Sequence, residues 1–440
     1  MVISARMFEI REKPDVVERA LLVRFYFDPR EAIEAESLLD ELGELVDTLG
    51  IEVVELVLSK CREMHKKFLC GTGKAAEIAE LARAHECDVI VIDNGLAPSQ
   101  QREWEKLADL CVIDREEVIL DIFARRAQTK EARLQVELAR MQYALPRLTR
   151  MWGHLDREGG GGSSGQSGGG AARGMGEKQI EVDRRLANMS IDRCKRELEV
   201  VRKQRKTQRK EREKLETPHA AIVGYTNAGK SSLLNILSGA DVMAKDMLFA
   251  TLDTTTRRIA LPDGQPLLIT DTVGFVRNLP HRLVEAFKAT LEEAVLADFL
   301  IHVLDATAPE IVRFHDTTLE VLKELGAEDK QVISVLNKID LVTDPDALQA
   351  LEWKFPEALR ISSITGQGME ELLQACAVVL ADRVRCNDYR IPQHRADVVG
   401  LLHREAKVLS TEYEGDDILV RAVVPPTIAG RLEAFAAAPA

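Results

Sequence analysis

Apolar residues in the first part of the chain follow two different patterns. Three short runs are typical of strands: 21–27 (LLVRFYF), 51–58 (IEVVELVL) and 89–92 (VIVI). Between them, residues 30–48 and 74–85 place alanine and leucine at the spacing of an amphipathic helix. Strands that alternate with helices indicate a parallel sheet, so we predict a small α/β domain over residues 1–115.

The middle of the chain is predicted to be helical on both sides of a glycine-rich segment. Few helix breakers occur from Glu116 to Leu145, and Pro146 is expected to kink or end that helix. Residues 159–176 (GGGGSSGQSGGGAARGMG) are typical of a flexible loop. The helical pattern then resumes, with a narrow apolar stripe that suits one partner helix: Ile191, Cys194, Leu198 and Val201. We therefore predict a helical hairpin over 116–215 with the loop at its tip.

From Pro218 onward the pattern returns to α/β. The strand candidates are 219–223 (HAAIV), 267–270 (LLIT), 299–304 (FLIHVL), 331–336 (QVISVL) and 359–362 (LRIS). Helical patterns separate most of them, which predicts a mostly parallel sheet in a domain over 216–382. A small α+β domain is predicted over 383–440, with strands at 389–391 and 417–424 and helices at 395–408 and 427–437. The predicted fold class is α/β.

The chain is acidic as a whole but contains one basic stretch. The chain of 440 residues has a net charge of −13, so its surface as a whole does not attract nucleic acid, and an RNA contact needs a local basic region. Such a region lies in the second predicted helix: Arg202, Lys203, Arg205, Lys206, Arg209, Lys210, Arg212 and Lys214. Two interpretations stay open, a solvated helix face and a patch that contacts RNA phosphates.

The sequence argues against secretion, membrane insertion and a histidine or cysteine metal site. No apolar run reaches the roughly 20 residues that span a bilayer, and the N-terminus lacks the apolar core of a signal peptide. The 7 cysteines form no CxxC pair and the 9 histidines show no metal-binding spacing. Reduced thiols that pack as small buried residues fit a cytoplasmic protein, and peripheral attachment to a membrane stays open.

A phosphate-binding loop is indicated by the pattern GxxxxGK[ST]. It consists of Gly224, Tyr225, Thr226, Asn227, Ala228, Gly229, Lys230 and Ser231. The motif follows a predicted strand and opens a helix, so its backbone N–H groups would turn towards phosphates at the positive helix end. Two glycines allow that backbone path, Lys230 would reach the β- and γ-phosphates, and the Ser231 hydroxyl would ligate Mg²⁺. The motif predicts binding of a nucleoside triphosphate with Mg²⁺.

Guanine recognition is indicated by the motif NKxD, which follows the strand candidate 331–336: Asn337, Lys338, Ile339 and Asp340. The Asp340 carboxylate can accept hydrogen bonds from N1–H and the exocyclic amine of guanine. Adenine lacks that donor pair and would leave the carboxylate desolvated without a partner. Asn337 and the Lys338 stem would hold the loop and cover the base. A further backbone contact to the base is expected after the next strand, from Ser362, Ser363 and Ile364.

A γ-phosphate sensor is indicated by DxxG: Asp271, Thr272, Val273 and Gly274. Asp271 would hold Mg²⁺ through water, and the Gly274 N–H would sense the γ-phosphate and link hydrolysis to loop movement. A switch threonine should precede this motif. Residues 249–256 (FATLDTTT) offer four candidates, and the residue types alone do not distinguish them.

Phe275 follows DTVG, where Ras-like proteins carry a glutamine that orients the attacking water. A phenyl ring cannot form such a hydrogen bond, so no catalytic residue is identified and we predict slow hydrolysis that a partner stimulates. Arg277 and His281 are the nearby polar candidates for the missing role, although we expect both to be surface-loop residues.

Several stretches of the chain resemble the HflX family of ribosome-associated GTPases. Outside the G motifs they are 93–101 (DNGLAPSQQ), 112–115 (VIDR), 122–127 (IFARRA), 174–181 (GMGEKQIE) and 183–185 (DRR). Within the G motifs, GYTNAGKS, FATLD and DTVGF are similar to the family too.

This resemblance implies more than the spacing does. Family members bind the large ribosomal subunit and its rRNA, and can separate stalled or idle ribosomes into subunits, especially under stress. It implies GTP as the main nucleotide, with ATP also bound in the family, and a hydrophobic residue after DTVG as normal. It also implies that Thr251 is the Mg²⁺-ligating switch residue, within a site segment that contains Phe249, Ala250, Thr251, Leu252 and Asp253. We expect a monomer.

Two features depart from the family, and the motifs also bear on other functions. The glycine-serine loop is long, and Lys178 stands where a small polar residue is expected; it either contacts rRNA phosphate or is solvated. An RNA-binding scaffold with GTP as a structural ligand conflicts with the complete set of Ser231, Thr251 and DTVG. A tRNA-modification G protein would need a carrier-binding domain and a C-terminal cysteine motif, and NKID does not fit a P-loop kinase. A role in ribosome assembly or RNA metabolism, and an ATPase activity of the N-terminal half, stay open.

Overall fold

The computed structural model describes residues 17–148, 171–213, 217–239, 248–249, 252–278, 292–381, 385–424 and 426–437. The chain divides into two compact units: the described residues up to Val200 together with Asn278 form the first, and the other described residues from Val201 onward form the second. The first unit contains one sheet and the second contains two.

The first unit is built around a parallel sheet of order β2-β1-β3-β4. Its strands are β1 (Arg19–Tyr26), β2 (Glu52–Lys60), β3 (Val89–Ile92) and β4 (Cys111–Asp114). Its helices are α1 (Ala32–Thr48), α2 (Thr72–Ala84), α3 (Pro98–Ala108) and α4 (Arg115–Arg126). All residues of β3 are buried, which explains why VIVI is a continuous apolar run instead of an alternating one. The α/β prediction is confirmed, and α3 and β4 are additional elements that the apolar pattern did not identify.

The prediction of one continuous helix from Glu116 to Leu145 is wrong, because the range contains two helices. Helix α4 ends at Arg126, Ala127 adopts an extended backbone, and α5 (Lys130–Leu148) begins after Thr129. Thr129 Oγ1 accepts a hydrogen bond of 3.1 Å from the N–H of Ala132 and so caps the new helix. Neither glycine nor proline marks this break, because a capped helix start needs only a short polar side chain. Pro146 lies near the end of α5, as expected.

Helix α6 (Ala171–Glu213) begins earlier than predicted. Residues 171–176 were expected in the glycine-rich loop, but they are helical, and the alanines at the start favour that state. The rest of that predicted loop, 159–170, lies outside the described residues. The apolar stripe packs against α5 as predicted, in a cluster of Leu134, Leu138, Ile191, Cys194 and Leu198.

The larger sheet of the second unit has the order β10-β9-β8-β5-β7-β6. Its strands are β5 (His219–Gly224), β6 (Thr255–Ala260), β7 (Pro266–Asp271), β8 (Phe299–Asp305), β9 (Gln331–Asn337) and β10 (Leu359–Arg360). Its helices are α7 (Lys230–Ser238), α8 (Ile311–Glu324), α9 (Pro345–Lys354) and α10 (Met369–Val379). Only β6 pairs antiparallel, with β7. The carboxyl ends of the parallel strands share one sheet edge, where open α/β proteins bind ligands.

Two strands of this sheet differ from the prediction. The segment of β6 was not identified as a strand, and β6 takes Thr255 and Thr256 out of the loop in which a switch threonine was sought. Its polar sequence TTRRIA is typical of an edge strand, which can expose most of its side chains. Strand β10 is shorter than the predicted 359–362 because the chain turns after Arg360.

A second, three-stranded antiparallel sheet follows, with the order β11-β13-β12. Its strands are β11 (Arg385–Pro392), β12 (Lys407–Glu414) and β13 (Asp417–Val424), and its helices are α11 (Ala396–Glu405) and α12 (Pro426–Arg431). The helix predicted over 395–408 therefore ends at Glu405, because the alternating sequence that follows forms β12. The helix predicted over 427–437 is replaced by α12 and a short 3-10 turn at Glu433–Phe435.

The described residues also bear on the cysteines, metals and membranes. Five cysteines are free and buried: Cys61, Cys70, Cys87, Cys194 and Cys376. In the described ranges, no cluster of three or more histidine, cysteine, aspartate or glutamate side chains could hold a metal ion. No helix within those ranges is both long and apolar enough to cross a bilayer.

Candidate functional site

The predicted phosphate loop connects the end of β5 to the start of α7. Its backbone passes through the left-handed region at Gly224 (φ +149°), Asn227 (φ +60°) and Gly229 (φ +90°). A Cβ at Gly224 would lie 2.3 Å from the carbonyl oxygen of Val303, and one at Gly229 would lie 2.2 Å from Asn337 Nδ2. Both positions therefore require glycine on two grounds, backbone conformation and space.

Lys230 and Ser231 end the loop. Lys230 contacts the loop backbone, and Ser231 contacts the last residue of β7. The buried Lys230 Nζ donates a hydrogen bond of 2.6 Å to the backbone carbonyl of Tyr225. Burial lowers the pKa of Lys230 to about 8, an effect that the Asp271 carboxylate partly opposes. The Ser231 hydroxyl donates a hydrogen bond of 2.6 Å to Asp271 Oδ2. An ammonium, a hydroxyl and a carboxylate thus meet at the helix N-terminus, where phosphate and a hard cation would both be stabilised.

The DxxG segment leaves β7 and packs against the phosphate loop. Phe275 donates its N–H to the carbonyl of Gly224 at 3.1 Å and accepts from the N–H of Thr226 at 2.8 Å. These two bonds bring Gly274 so close that a Cβ there would lie 2.8 Å from Thr226 Cα and 2.9 Å from Lys230 Nζ. The predicted γ-phosphate sensor and the predicted phosphate loop are therefore adjacent, and Gly274 has no room for a side chain.

The residues after DxxG differ from expectation. Arg277 was expected on the surface, but it is only 7% exposed, and its guanidinium donates to Glu310 Oε2 at 2.7 Å. This ion pair explains how a charge is accommodated in a buried position. The side chain of Phe275 is 1% exposed, so it is part of the protein interior. His281 lies outside the described residues.

The NKxD segment begins at the end of β9 and contacts the phosphate loop. Asn337 is fully buried, and its Nδ2 donates to the carbonyl of Ala228 at 2.8 Å. Lys338 adopts a left-handed backbone (φ +64°), and its Nζ lies 2.7 Å from Asp305 Oδ2. Asp340, the predicted acceptor for guanine, is exposed to solvent.

The segment 362–364, which was predicted to contact the base, is also bonded to Asn337. The N–H of Ser363 donates to Asn337 Oδ1 at 3.0 Å. The hydroxyl of Ser362 is used locally, since it accepts from the N–H of Thr365 at 3.1 Å, and Ile364 is exposed. The sequence placed these residues near NKxD, whereas the role of Asn337 as the link between three loops was not evident.

The predicted switch segment is only partly described. Phe249 and Leu252 are buried, Phe249 with a positive φ of +53°, and Asp253 is half-buried. Ala250 and Thr251, the predicted Mg²⁺-ligating threonine among them, lie outside the described residues. Thr256 is engaged in the sheet, where its hydroxyl lies 2.8 Å from that of Thr270.

The basic stretch from Arg202 to Arg212 lies on the last turns of α6, and Lys214 lies outside the described residues. Arg202 and Lys203 are exposed. The backbone of Arg205, Lys206, Arg209 and Lys210 is helical, and their side chains lie outside the described set. The helix is confirmed, and the contact with RNA stays a prediction.

Asp305 and Glu310 are polar site neighbours that sequence reasoning missed. Asp305 ends β8 at the same sheet edge as the G motifs and pairs with Lys338. A polar residue directly after an apolar strand of a parallel sheet was the signal that could have identified it. Glu310 lies just before α8, and nothing in its sequence context indicates that it pairs with Arg277.

Comparison with known proteins assigns three consecutive regions of the chain. A family model described as "GTP-binding GTPase N-terminal" matches residues 36–124, and "GTP-binding GTPase Middle Region" matches residues 126–212. A third, "50S ribosome-binding GTPase", matches residues 219–338.

Curated relatives resemble the chain over nearly its whole length. The GTPase HflX of Akkermansia muciniphila is 62% identical over 98% of this chain and 100% of its own. The GTPase HflX of Escherichia coli is 41% identical over 87% of both chains. That of Chlamydia pneumoniae is 39% identical over 97% of this chain and 90% of its own. Among solved structures, a GTP-binding protein from Sulfolobus solfataricus in complex with GDP is 24% identical, with a TM-score of 0.41 over 83% of this chain and 99% of its own.

Proposed function

The chain belongs to the HflX family of GTPases, and from this premise we propose that it is a GTP-driven switch that acts on the large ribosomal subunit. As a member of that family it hydrolyses GTP to GDP and phosphate. The observation that carries the proposal is the convergence of three G motifs on one sheet edge. Asn337 is bonded to the phosphate loop, Ser231 is bonded to Asp271, and Gly274 lies against Lys230.

The proposed nucleotide site assigns a task to each motif. The N–H groups of residues 224–231 and the ammonium of Lys230 bind the phosphates, and the Gly274 N–H meets the γ-phosphate. Asp340 accepts the N1–H and amine of guanine, while the Lys338 stem covers the base. The ion pair of Lys338 with Asp305 supports this assignment because it fixes the lysine beside the loop.

Magnesium fits this site. The Ser231 hydroxyl and the Asp271 carboxylate are hard oxygen donors only 2.6 Å apart, which is the chemistry that Mg²⁺ prefers. We assign Ser231 and Thr251 as ligands, with Asp271 acting through water. When bound, the cation neutralises negative charge on the β- and γ-phosphates. The chain itself orients the phosphates through Lys230 and the loop backbone.

The large ribosomal subunit is the proposed effector for two reasons. The matching family model is described as 50S ribosome-binding, and the basic stretch of α6 supplies positive charge on an acidic protein. The buried Phe275 leaves no glutamine to orient water after DTVG, so a partner is expected to complete the hydrolytic site. We infer that a monomer acts in the cytoplasm on stalled or idle ribosomes, separating or rescuing them under stress through contacts with rRNA.

The test is GTP hydrolysis at physiological salt and Mg²⁺, with large subunits, with small subunits or with neither. ATP serves as the control nucleotide, and Ser231→Ala as the control for contaminating GTPases. Slow hydrolysis that rises at least about tenfold with large subunits alone, equivalent to about 1.4 kcal/mol, supports the proposal. An equal rise with small subunits, or an unchanged rate, removes the large subunit as the stimulating partner.

A further inference from the structure

The segment after DxxG is tied to helix α8 and to the phosphate loop by one residue, Arg277. Its side chain donates to Glu310 Oε2 at 2.7 Å, and its backbone N–H donates to the hydroxyl of Tyr225, also at 2.7 Å. The contact with Tyr225 is buried, since Arg277 and Tyr225 are 7% and 6% exposed, and the contact with Glu310 is partly buried. Water competes less for the Arg277 guanidinium here than at the surface, which strengthens its bond to Glu310.

Two stacked aromatic rings lie next to these contacts. The ring of Tyr225 stacks on that of Phe314 with centroids 4.0 Å apart and an angle of 9° between planes. The guanidinium of Arg277 lies 5.5 Å from the centroid of the same Phe314 ring, within the range of a cation–π interaction. The stacking on Phe314 fixes the Tyr225 ring and therefore the position of its hydroxyl. Phe314 lies in α8 and Glu310 lies just before it, so α8 positions both partners of Arg277.

We propose that Tyr225, Arg277 and Glu310 form a clasp that positions Gly274 for GTP hydrolysis. Phe275 is already paired on both sides with the phosphate loop, through its N–H and its carbonyl. The clasp fixes the chain again at Arg277, so a movement of the Gly274 backbone away from Lys230 would strain the Arg277–Glu310 ion pair and the bond to Tyr225. These three side chains are positioning residues, and the proposal rests on the assigned role of the Gly274 N–H at the γ-phosphate.

Disruption of the clasp should lower the rate of GTP hydrolysis without lowering nucleotide affinity. Nucleotide affinity depends on the loop backbone and on NKxD, whereas the clasp meets the phosphate loop at the Tyr225 hydroxyl, a group with no assigned nucleotide contact. The catalytic rate depends on the placement of the segment that the clasp holds. We therefore expect the rate to fall while GDP affinity is kept, which a general loss of stability would not produce.

The chain offers a matched control. Arg313 also pairs with Glu310, at 2.7 Å to its other carboxylate oxygen, and it is half exposed. Arg313→Ala removes a partner of the same carboxylate without touching the segment after DxxG. Glu310→Gln and Tyr225→Phe keep the size of the side chain, so they carry the test even if Arg277→Ala does not fold.

The experiment measures single-turnover GTP hydrolysis by the full chain without ribosomes, together with the Kd for GDP. We expect Glu310→Gln, Tyr225→Phe and Arg277→Ala each to lower the rate by about tenfold, to change the Kd for GDP less than about threefold, and Arg313→Ala to match the wild type. The double variant Arg277→Ala with Glu310→Gln should be no slower than Arg277→Ala alone, because both break the same contact.

Several results would overturn the clasp. They are unchanged rates in the two isosteric variants, a loss of GDP affinity as large as the loss of rate, an equal effect of Arg313→Ala, or multiplicative losses in the double variant. Because no ribosome is present, these outcomes are independent of whether the large subunit is the effector.

Discussion

Asn337 Nδ2 donates a hydrogen bond of 2.8 Å to the backbone carbonyl of Ala228, although the two residues are 109 positions apart in the chain. Asn337 Oδ1 accepts from the N–H of Ser363 at 3.0 Å, so a single buried amide joins the phosphate loop, NKxD and the segment after β10. The asparagine of NKxD thus contributes by fixing three loops relative to one another.

Replacement of Asn337 by alanine should weaken the whole nucleotide site. The change leaves the buried Ala228 carbonyl and the part-buried Ser363 N–H without their partner, and a buried polar group costs about 1–3 kcal/mol when unsatisfied. We expect the Kd for GDP to rise at least about tenfold, which corresponds to about 1.4 kcal/mol, as measured with a fluorescent GDP analogue. Ser363→Ala is the control, because the bond uses the backbone of Ser363; an equal loss there would contradict this explanation.

Alanine at Gly274 should separate hydrolysis from binding. Its Cβ would lie 2.8 Å from Thr226 Cα, and the Thr226 backbone is held by its bond to Phe275, so the DxxG segment must move instead. We expect the single-turnover rate to fall at least about tenfold while GDP affinity changes little. Gly400→Ala, at a helical site with free space around the glycine, should behave as the wild type. A normal rate for Gly274→Ala would mean that the segment has more room than the structure gives it.

The buried His302 predicts a dependence of stability on pH. Burial lowers the pKa of His302 to about 3, assisted by electrostatic interaction with His315 and Lys230. The unfolded chain, with a histidine pKa near 6.5, binds a proton that the folded protein cannot accept. Stability is therefore lost as pH falls from 6.5 towards 3, by at most about 1.4 kcal/mol per pH unit.

The variant His302→Leu tests this dependence by urea unfolding at pH 7 and pH 5. Neither ring nitrogen of His302 has a hydrogen-bond partner among the described residues, so leucine removes two buried polar atoms and should not destabilise the protein at pH 7. We expect the loss of stability between pH 7 and 5 to be smaller in this variant by about 2 kcal/mol. The exposed His403→Gln should keep the full loss, and a His302→Leu protein with the same slope as the wild type would refute the assignment.

Charge reversal in α6 tests the basic stretch. Replacing Arg205, Lys206, Arg209 and Lys210 by glutamate should weaken binding to large ribosomal subunits and flatten its salt dependence, because fewer phosphate counterions are released. Sedimentation with subunits across a salt series measures both effects. GTP hydrolysis in the absence of ribosomes is the control and should not change. Unaltered subunit binding would favour the other interpretation, a solvated helix face.

The sequence predicted the strands near the site well because each motif follows an apolar run. Val223 precedes the phosphate loop, and Leu336 precedes NKxD, and both belong to buried strands whose carboxyl ends must share one edge. Local apolar patterns and the shared edge of parallel strands therefore locate these motifs without knowledge of any tertiary contact.

What the sequence did not reveal depends on contacts between distant residues. A buried arginine looks like an exposed one until its partner is located, and Glu310 lies 33 positions from Arg277. The break between α4 and α5 is set by one threonine hydroxyl, and threonine also occurs inside helices. Edge strand β6 has few buried side chains, so its apolar pattern is weak.

Base selection is expected to depend on Asp340. The residue is exposed at the end of the site network, and its carboxylate is proposed to accept the N1–H and amine of guanine. Asp340→Asn replaces one acceptor by an amide donor, which suits the carbonyl that xanthine carries in place of that amine. We expect the affinity for GDP to fall at least about tenfold and the affinity for xanthosine diphosphate to rise, as measured by competition against a fluorescent analogue. Asp346→Asn, at an exposed carboxylate nearby in the sequence, is the control and should leave both affinities unchanged. If Asp340→Asn keeps its preference for guanine over xanthine, another residue must read the base, and the remaining contacts of NKxD would then serve only to hold the loop.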